Sequence, residues 1–222
     1  MRADQSPFPA HWWGTEIKDV PDRPYVGTYG RYKFARLPRL PFEELRGDFH
    51  WLAGAPSHKS NIGEEKPGEN QDALAALKSS VTQSGIGLPG PLVRFMETPA
   101  LHQKIRSVTD CFLDLCPALV PSPIGDGWLL RFLADSQSCI FWYLFITAHG
   151  ANHAVVASSG FYGAAEEDWN DEPPDPADLV FVEESFEAFL CRFWLENEIR
   201  FSQYHKTPMP DPAKKYLDAY RA

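Results

Sequence analysis

The stretch from Trp128 to Thr147 constrains this chain more than any other. It reads Trp-Leu-Leu-Arg-Phe-Leu-Ala-Asp, then Ser-Gln-Ser, then Cys-Ile-Phe-Trp-Tyr-Leu-Phe-Ile-Thr. β-branched and aromatic residues crowd both arms. Asp135, Ser136, Gln137 and Ser138 carry turn chemistry between them, so the pattern predicts two strands joined by a short polar turn. The second arm, Cys139 to Ile146, holds no charged side chain and barely alternates. A strand apolar on both faces must be covered on both, which places it at the centre of a sheet packed by helices. Arg131, between Leu130 and Phe132, marks the first arm as reaching the rim of that cover. No catalytic motif lies on the hairpin.

With 222 residues, of which 44% are hydrophobic and 14% aromatic, the chain can bury a real core despite its 20 prolines. Its net charge of -9 argues against non-specific binding to nucleic acid or to an anionic membrane surface, and is compatible with a basic protein partner. Three of the four cysteines (Cys111, Cys116, Cys139 and Cys191) sit in apolar runs, where a free thiol behaves as a small hydrophobe. Cys111-x4-Cys116 is no zinc knuckle and no second pair completes one. The first residues have no apolar core of a secretory signal and no run reaches membrane-span length, so a soluble cytoplasmic protein with reduced thiols is expected.

Residues 1–68 form a distinct N-terminal extension, rich in Pro, Gly, Trp and Tyr. It carries Trp12, Trp13, Tyr25, Tyr29, Tyr32 and Phe34, too many aromatics for a free tail, so much of it is expected to lie against the remainder. Pro41 to Leu52 reads as a short helix, and Asn61 to Glu69 as a flexible connector. The domain proper spans residues 69–222. Helices are predicted over Gln71–Val81, after Pro89-Gly90-Pro91, and from Thr98 as N-cap with Pro99 at the first position to about Lys104. Thr109–Leu115 reads as a strand, and a third long strand is expected at His153–Ser158. An acidic loop then precedes a short strand, Leu179–Val182. Ser185 should cap a helix to roughly Tyr204 whose wide aromatic face covers the sheet, and Asp211-Pro212 should cap a final one. The fold class is α+β, with a central antiparallel-rich sheet covered by helices.

Four pieces in this order carry a family resemblance: Gly87-Leu88-Pro89 through Phe95-Met96, Arg131-Phe132-Leu133-Ala134-Asp135, Cys139-Ile140-Phe141-Trp142-Tyr143-Leu144, and Ser185-Phe186-Glu187-Ala188-Phe189-Leu190. Over about residues 70–205 the chain resembles the SUKH superfamily, the Smi/Knr-like proteins that include the Syd group. The resemblance implies the α+β fold and a protein-binding role. Many bacterial members act as immunity proteins against polymorphic toxins, often nucleases, and others as regulatory scaffolds. It brings no catalytic residues and no cofactor.

The acidic loop Glu166 to Asp178 has no Lys or Arg and holds Trp169 in its middle. A nuclease presents basic residues to phosphate, so a carboxylate face with an aromatic anchor can occlude it. The competing reading is an ordinary solvated loop with Trp169 folded back. The partner-binding candidates are Asp126, Glu166, Glu167, Asp168, Trp169, Asp171 and Glu172. His149-x3-His153 with Cys139 lacks an acidic third ligand, and a Cys139/His153 dyad sets its thiol in the most apolar strand. Neither metal nor nucleophilic chemistry is therefore expected. Arg31, Lys33, Phe34, Arg36 and Arg39 could suggest RNA binding; arginines pairing with the acidic body are the expected account. Trp128, Trp142 and Trp194 could line a ligand pocket but are expected as core. A protein-binding domain, without enzymatic activity, is the function expected. The alternatives are a regulatory scaffold, or a small-molecule or metal-dependent enzyme using the aromatic sheet as a pocket.

Overall fold

The computed structural model describes residues 1–148, 150, 152–163 and 174–222. The Trp128–Thr147 stretch forms β5 (Gly127–Ala134) and β6 (Phe141–Thr147), paired antiparallel. The turn between them is built by Asp135, whose carboxylate accepts the N–H groups of Gln137 (3.0 Å) and Cys139 (3.2 Å). Ser138 completes it in the left-handed region, at φ +57°. β3 (Phe112–Leu113), β5, β6, β7 (His153–Ser158) and β8 (Val180–Glu183) follow one another across an antiparallel sheet, with β4 (Val120–Pro121) on the outer side of β5. The fold is α+β, as the apolar hairpin requires. The expected strand at Thr109–Leu115 shrinks to β3, two residues long.

Side-chain alternation on β6 sorts the core into two layers. Trp142, Leu144 and Ile146 face one cluster, and Phe141, Tyr143 and Phe145 the other. Helices fill only the first. α1 (Pro67–Ser84), α2 (Gly90–Met96), α4 (Phe186–His205) and α5 (Asp211–Arg221) supply it, with the short α3 (Pro99–His102) beside α2. Phe132 meets Phe186 and Phe189 edge-on at 5.0 and 5.6 Å between centroids, and Trp142 meets Phe189 and Phe193. A bulge at Phe132 in β5, which shifts the register against β6, puts both Phe132 and Leu133 in this layer.

The second face is covered by irregular chain rather than by helices. Phe8 stands edge-on against Phe145 at 5.0 Å, Phe34 against Phe181, and Phe161 against Phe141. The Met1 ammonium donates to the carbonyls of His153 (2.6 Å) and Glu184 (3.0 Å), tying the N-terminus across β7 and β8. β1 (His11–Gly14) and β2 (Gly30–Lys33) form a separate ribbon, joined to β8 through a parallel bridge between Ala10 and Phe181.

Several local expectations change in the folded chain. Pro41–Leu52 is irregular apart from one 3-10 turn at His50–Leu52, because Gly47 and Phe49 both take positive φ. Asn61–Glu69 is no loose connector: the Ile62 N–H donates to Ile105, its carbonyl accepts from Leu113, and α1 already starts at Pro67. Thr98 does not cap α3 with its side chain; its hydroxyl turns back to the Arg94 carbonyl at 2.7 Å. α5 likewise has no side-chain cap, Asp211 lying inside its first turn. Ser185 does cap α4, accepting from the Ala188 N–H at 3.2 Å.

Candidate binding surface and the charges beneath it

Glu166, Glu167, Asp168, Trp169, Asp171 and Glu172 lie outside the described residues. The stems that carry them are anchored firmly. The Tyr162 N–H donates to the Tyr143 hydroxyl at 2.9 Å, and Gly160 lies so close to Pro174 that a side chain there would collide with its ring. Arg131 stacks over Phe161 at 4.5 Å and pairs with Asp114 at 2.7 Å. Arg131 is therefore a buried cation under this part of the sheet, only 4% exposed, and not a residue at the rim.

The last two carboxylates of the acidic run have structural duties. Asp175 accepts the Ala177 N–H at 2.9 Å and caps a 3-10 turn at Pro176–Asp178. Asp178 pairs with Arg31 at 2.6 Å and accepts from the Ser159 hydroxyl. Burial, with Asp178 and Asp175 adding to it, pushes the Tyr162 hydroxyl up to about 12. Asp126 is exposed but sits elsewhere: it precedes Gly127, which pairs with Thr147, whereas Ser158 near the stems pairs with Phe141. Six residues of β6 separate those pairs, roughly 20 Å along the strand.

The same register disposes of the Cys139/His153 dyad. His153 pairs with Ile146, seven residues along from Cys139, or roughly 23 Å. Cys139 is exposed, and desolvation together with the Asp135 carboxylate raises its thiol pKa, the opposite of activation. His149 lies outside the described residues, and among those described no group of three or more His, Cys, Asp or Glu side chains could hold a metal ion. Trp142 and Trp194 are buried in the main core and Trp128 is packed against it.

Sequence reasoning missed a chain of buried charges along α4. Arg23, wholly buried between Asp22 and Pro24, donates to both Glu196 carboxylate oxygens at 2.6 and 2.8 Å. The Trp12 indole N–H donates to the same carboxylate at 2.7 Å, and the Tyr216 hydroxyl donates to it at 3.3 Å. Arg192 joins Glu183 (2.7 Å), the Tyr216 hydroxyl and the Pro38 carbonyl. Farther along, Arg106 grips Glu198 with two bonds of 2.8 Å. At the helix start, Glu187 (2% exposed) accepts the N–H groups of Gly47 and Phe49 and the indole of Trp51. Burial alone would lower the Arg23 guanidinium, but Glu196 outweighs it and holds it above its ordinary value. In sequence these helix positions read as a solvent face. The one available signal was the density of Trp and Tyr in residues 12–51, which needed something to cover.

Neither a protein-family model, nor a curated protein, nor a solved structure matches the chain. No helix among the described residues is long and apolar enough to cross a membrane.

Proposed function

We propose that the chain is a non-catalytic protein-binding domain acting in the cytoplasm, an immunity protein of the SUKH type. It neutralises a bacterial polymorphic toxin, of which a nuclease is the type the acidic charge suits, by stoichiometric occlusion. The observation that carries this reading is the use made of the arginines. Arg23, Arg106, Arg131 and Arg192 all pair with carboxylates of the same chain at buried or half-buried sites. With those cations paired inside the chain, they are not displayed to a partner, and the chain keeps its excess of 30 acidic over 21 basic residues. In the sequence, residues 166–172 gather five carboxylates around Trp169, and Tyr162, shortly before them, is held by the Tyr143 hydroxyl. Such a face attracts a basic, phosphate-binding cleft at long range and offers it an aromatic anchor at contact.

The tagged chain is used to capture partners from lysate of the native organism, identified by mass spectrometry. A basic toxin domain recovered stoichiometrically, and silenced by the chain, supports the reading. A cell-wall or other regulatory complex in its place would make the chain a regulatory scaffold. With the partner in hand, the combined Glu166→Lys, Glu167→Lys and Asp168→Lys variant should bind about 100-fold more weakly at low salt, with much of the loss in association rate. Binding unchanged at low and moderate salt removes this segment from the interface.

A further inference from the structure

A cleft of about 260 Å³ opens between the start of α1, the end of α2 and α3. His102 forms one wall. It is only 8% exposed, and its Nε2 lies 2.7 Å from the Phe95 carbonyl. A carbonyl can only accept, so Nε2 carries the proton. Burial lowers the pKa of His102, keeping the ring neutral and leaving Nδ1 as a bare acceptor. Nδ1 faces Gly63, where any side chain would begin 2.8 Å from that nitrogen and cap it. A side chain at residue 63 would collide with His102, closest at its Cβ at 2.6 Å, so glycine there is what lets the chain pass beside this edge of the ring.

The remaining walls fit one kind of occupant. Met96 and Leu113 give an apolar floor, with Pro67 and Pro99 at the sides. Glu64 is exposed at the edge and makes no ion pair with a described residue, and the carboxamides of Gln71 and Gln103 add further acceptors. No Lys or Arg lines the cleft. The positive end of α1 opposes a cation weakly, and Glu69 in its first turn offsets it. A methylene stem would lie on the apolar floor while its charged end reaches the carboxylate and the imidazole lone pair.

We infer that this cleft is a receptor for a cationic side chain, lysine or arginine, presented by a partner protein. The inference does not depend on the acidic segment, and its test uses no partner. The full-length chain, labelled for NMR, is titrated with N-acetyl-arginine amide and, separately, with N-acetyl-norleucine amide, which keeps a stem without the charge. The arginine probe should move the His102 ring signals saturably, with a Kd on the order of 1 mM. The norleucine probe should leave them in place. Glu64→Gln should weaken the arginine probe about threefold, the scale of one exposed ion pair. Gln71→Lys, an exposed helical change that leaves the core untouched, should abolish binding by placing a cation in the cleft. The inference is overturned if the arginine probe fails to saturate, if norleucine amide binds as well, or if Gln71→Lys binds undiminished.

Discussion

Arg23 shows how much one residue can decide. It sits among Asp22, Pro24 and Tyr25 in a segment with no regular structure, yet it is the counter-charge for Glu196 in the middle of α4. Its guanidinium also stacks over Tyr32 at 4.3 Å and donates to the Thr15 carbonyl, which fixes the long connection between β1 and β2. A buried pair gains little over a well-packed apolar pair, but breaking it strands a charge. Arg23→Met should therefore cost about 3–5 kcal/mol in urea unfolding. Adding Glu196→Gln to that variant should recover part of the loss, because the amide needs no counter-charge. A loss near zero in Arg23→Met would mean that the pair does not form.

Among the elements, the sheet and its unhelical cover depend on each other. β5, β6 and β7 are apolar on both faces, and only one of those faces meets helices. The other is closed by Phe8, Phe161 and Tyr162 from irregular chain and by Phe34 from a 3-10 turn directly after β2. These segments are held by ring contacts, by the Met1 ammonium and, next to Phe8, by the short backbone bridge of Pro9 and Ala10 to Phe181. Phe8 is 3% exposed against Phe145, so Phe8→Ala should destabilise the chain by about 3–5 kcal/mol. It should also expose the β6 face to a hydrophobic dye such as ANS. Unchanged urea unfolding and no dye binding would show that the first residues are not part of the fold's cover.

For the whole molecule, buried titratable groups set how stability responds to pH. His58, His102 and His153 have pKa values lowered chiefly by burial, and the Met1 ammonium is lowered in the same way. The unfolded chain then binds protons more readily than the folded one, so these groups contribute stability above their unfolded values, about 6.5 for histidine, and lose it as pH falls. Unfolding free energy measured at about pH 8 and about pH 5.5 should be lower in acid, and His102→Gln should flatten that slope. Stability that rises on acidification would contradict the burial of these rings. The sequence by itself determined the apolar hairpin, the Asp135 turn, the Ser185-capped helix and the α+β class, because periodicity, turn chemistry and capping act over a few neighbouring residues. It also marked residues 12–34 as aromatic enough to need a surface to lie on. Tertiary structure alone decided that irregular chain closes one sheet face, that Arg131 is buried, and that α4 hides its carboxylates beneath Trp12, Arg23 and Trp51. It also decided that Gly63 packs against His102 too closely for a side chain. Each of these joins residues tens to hundreds of positions apart, and a buried charge looks like a surface charge until its distant partner is in place.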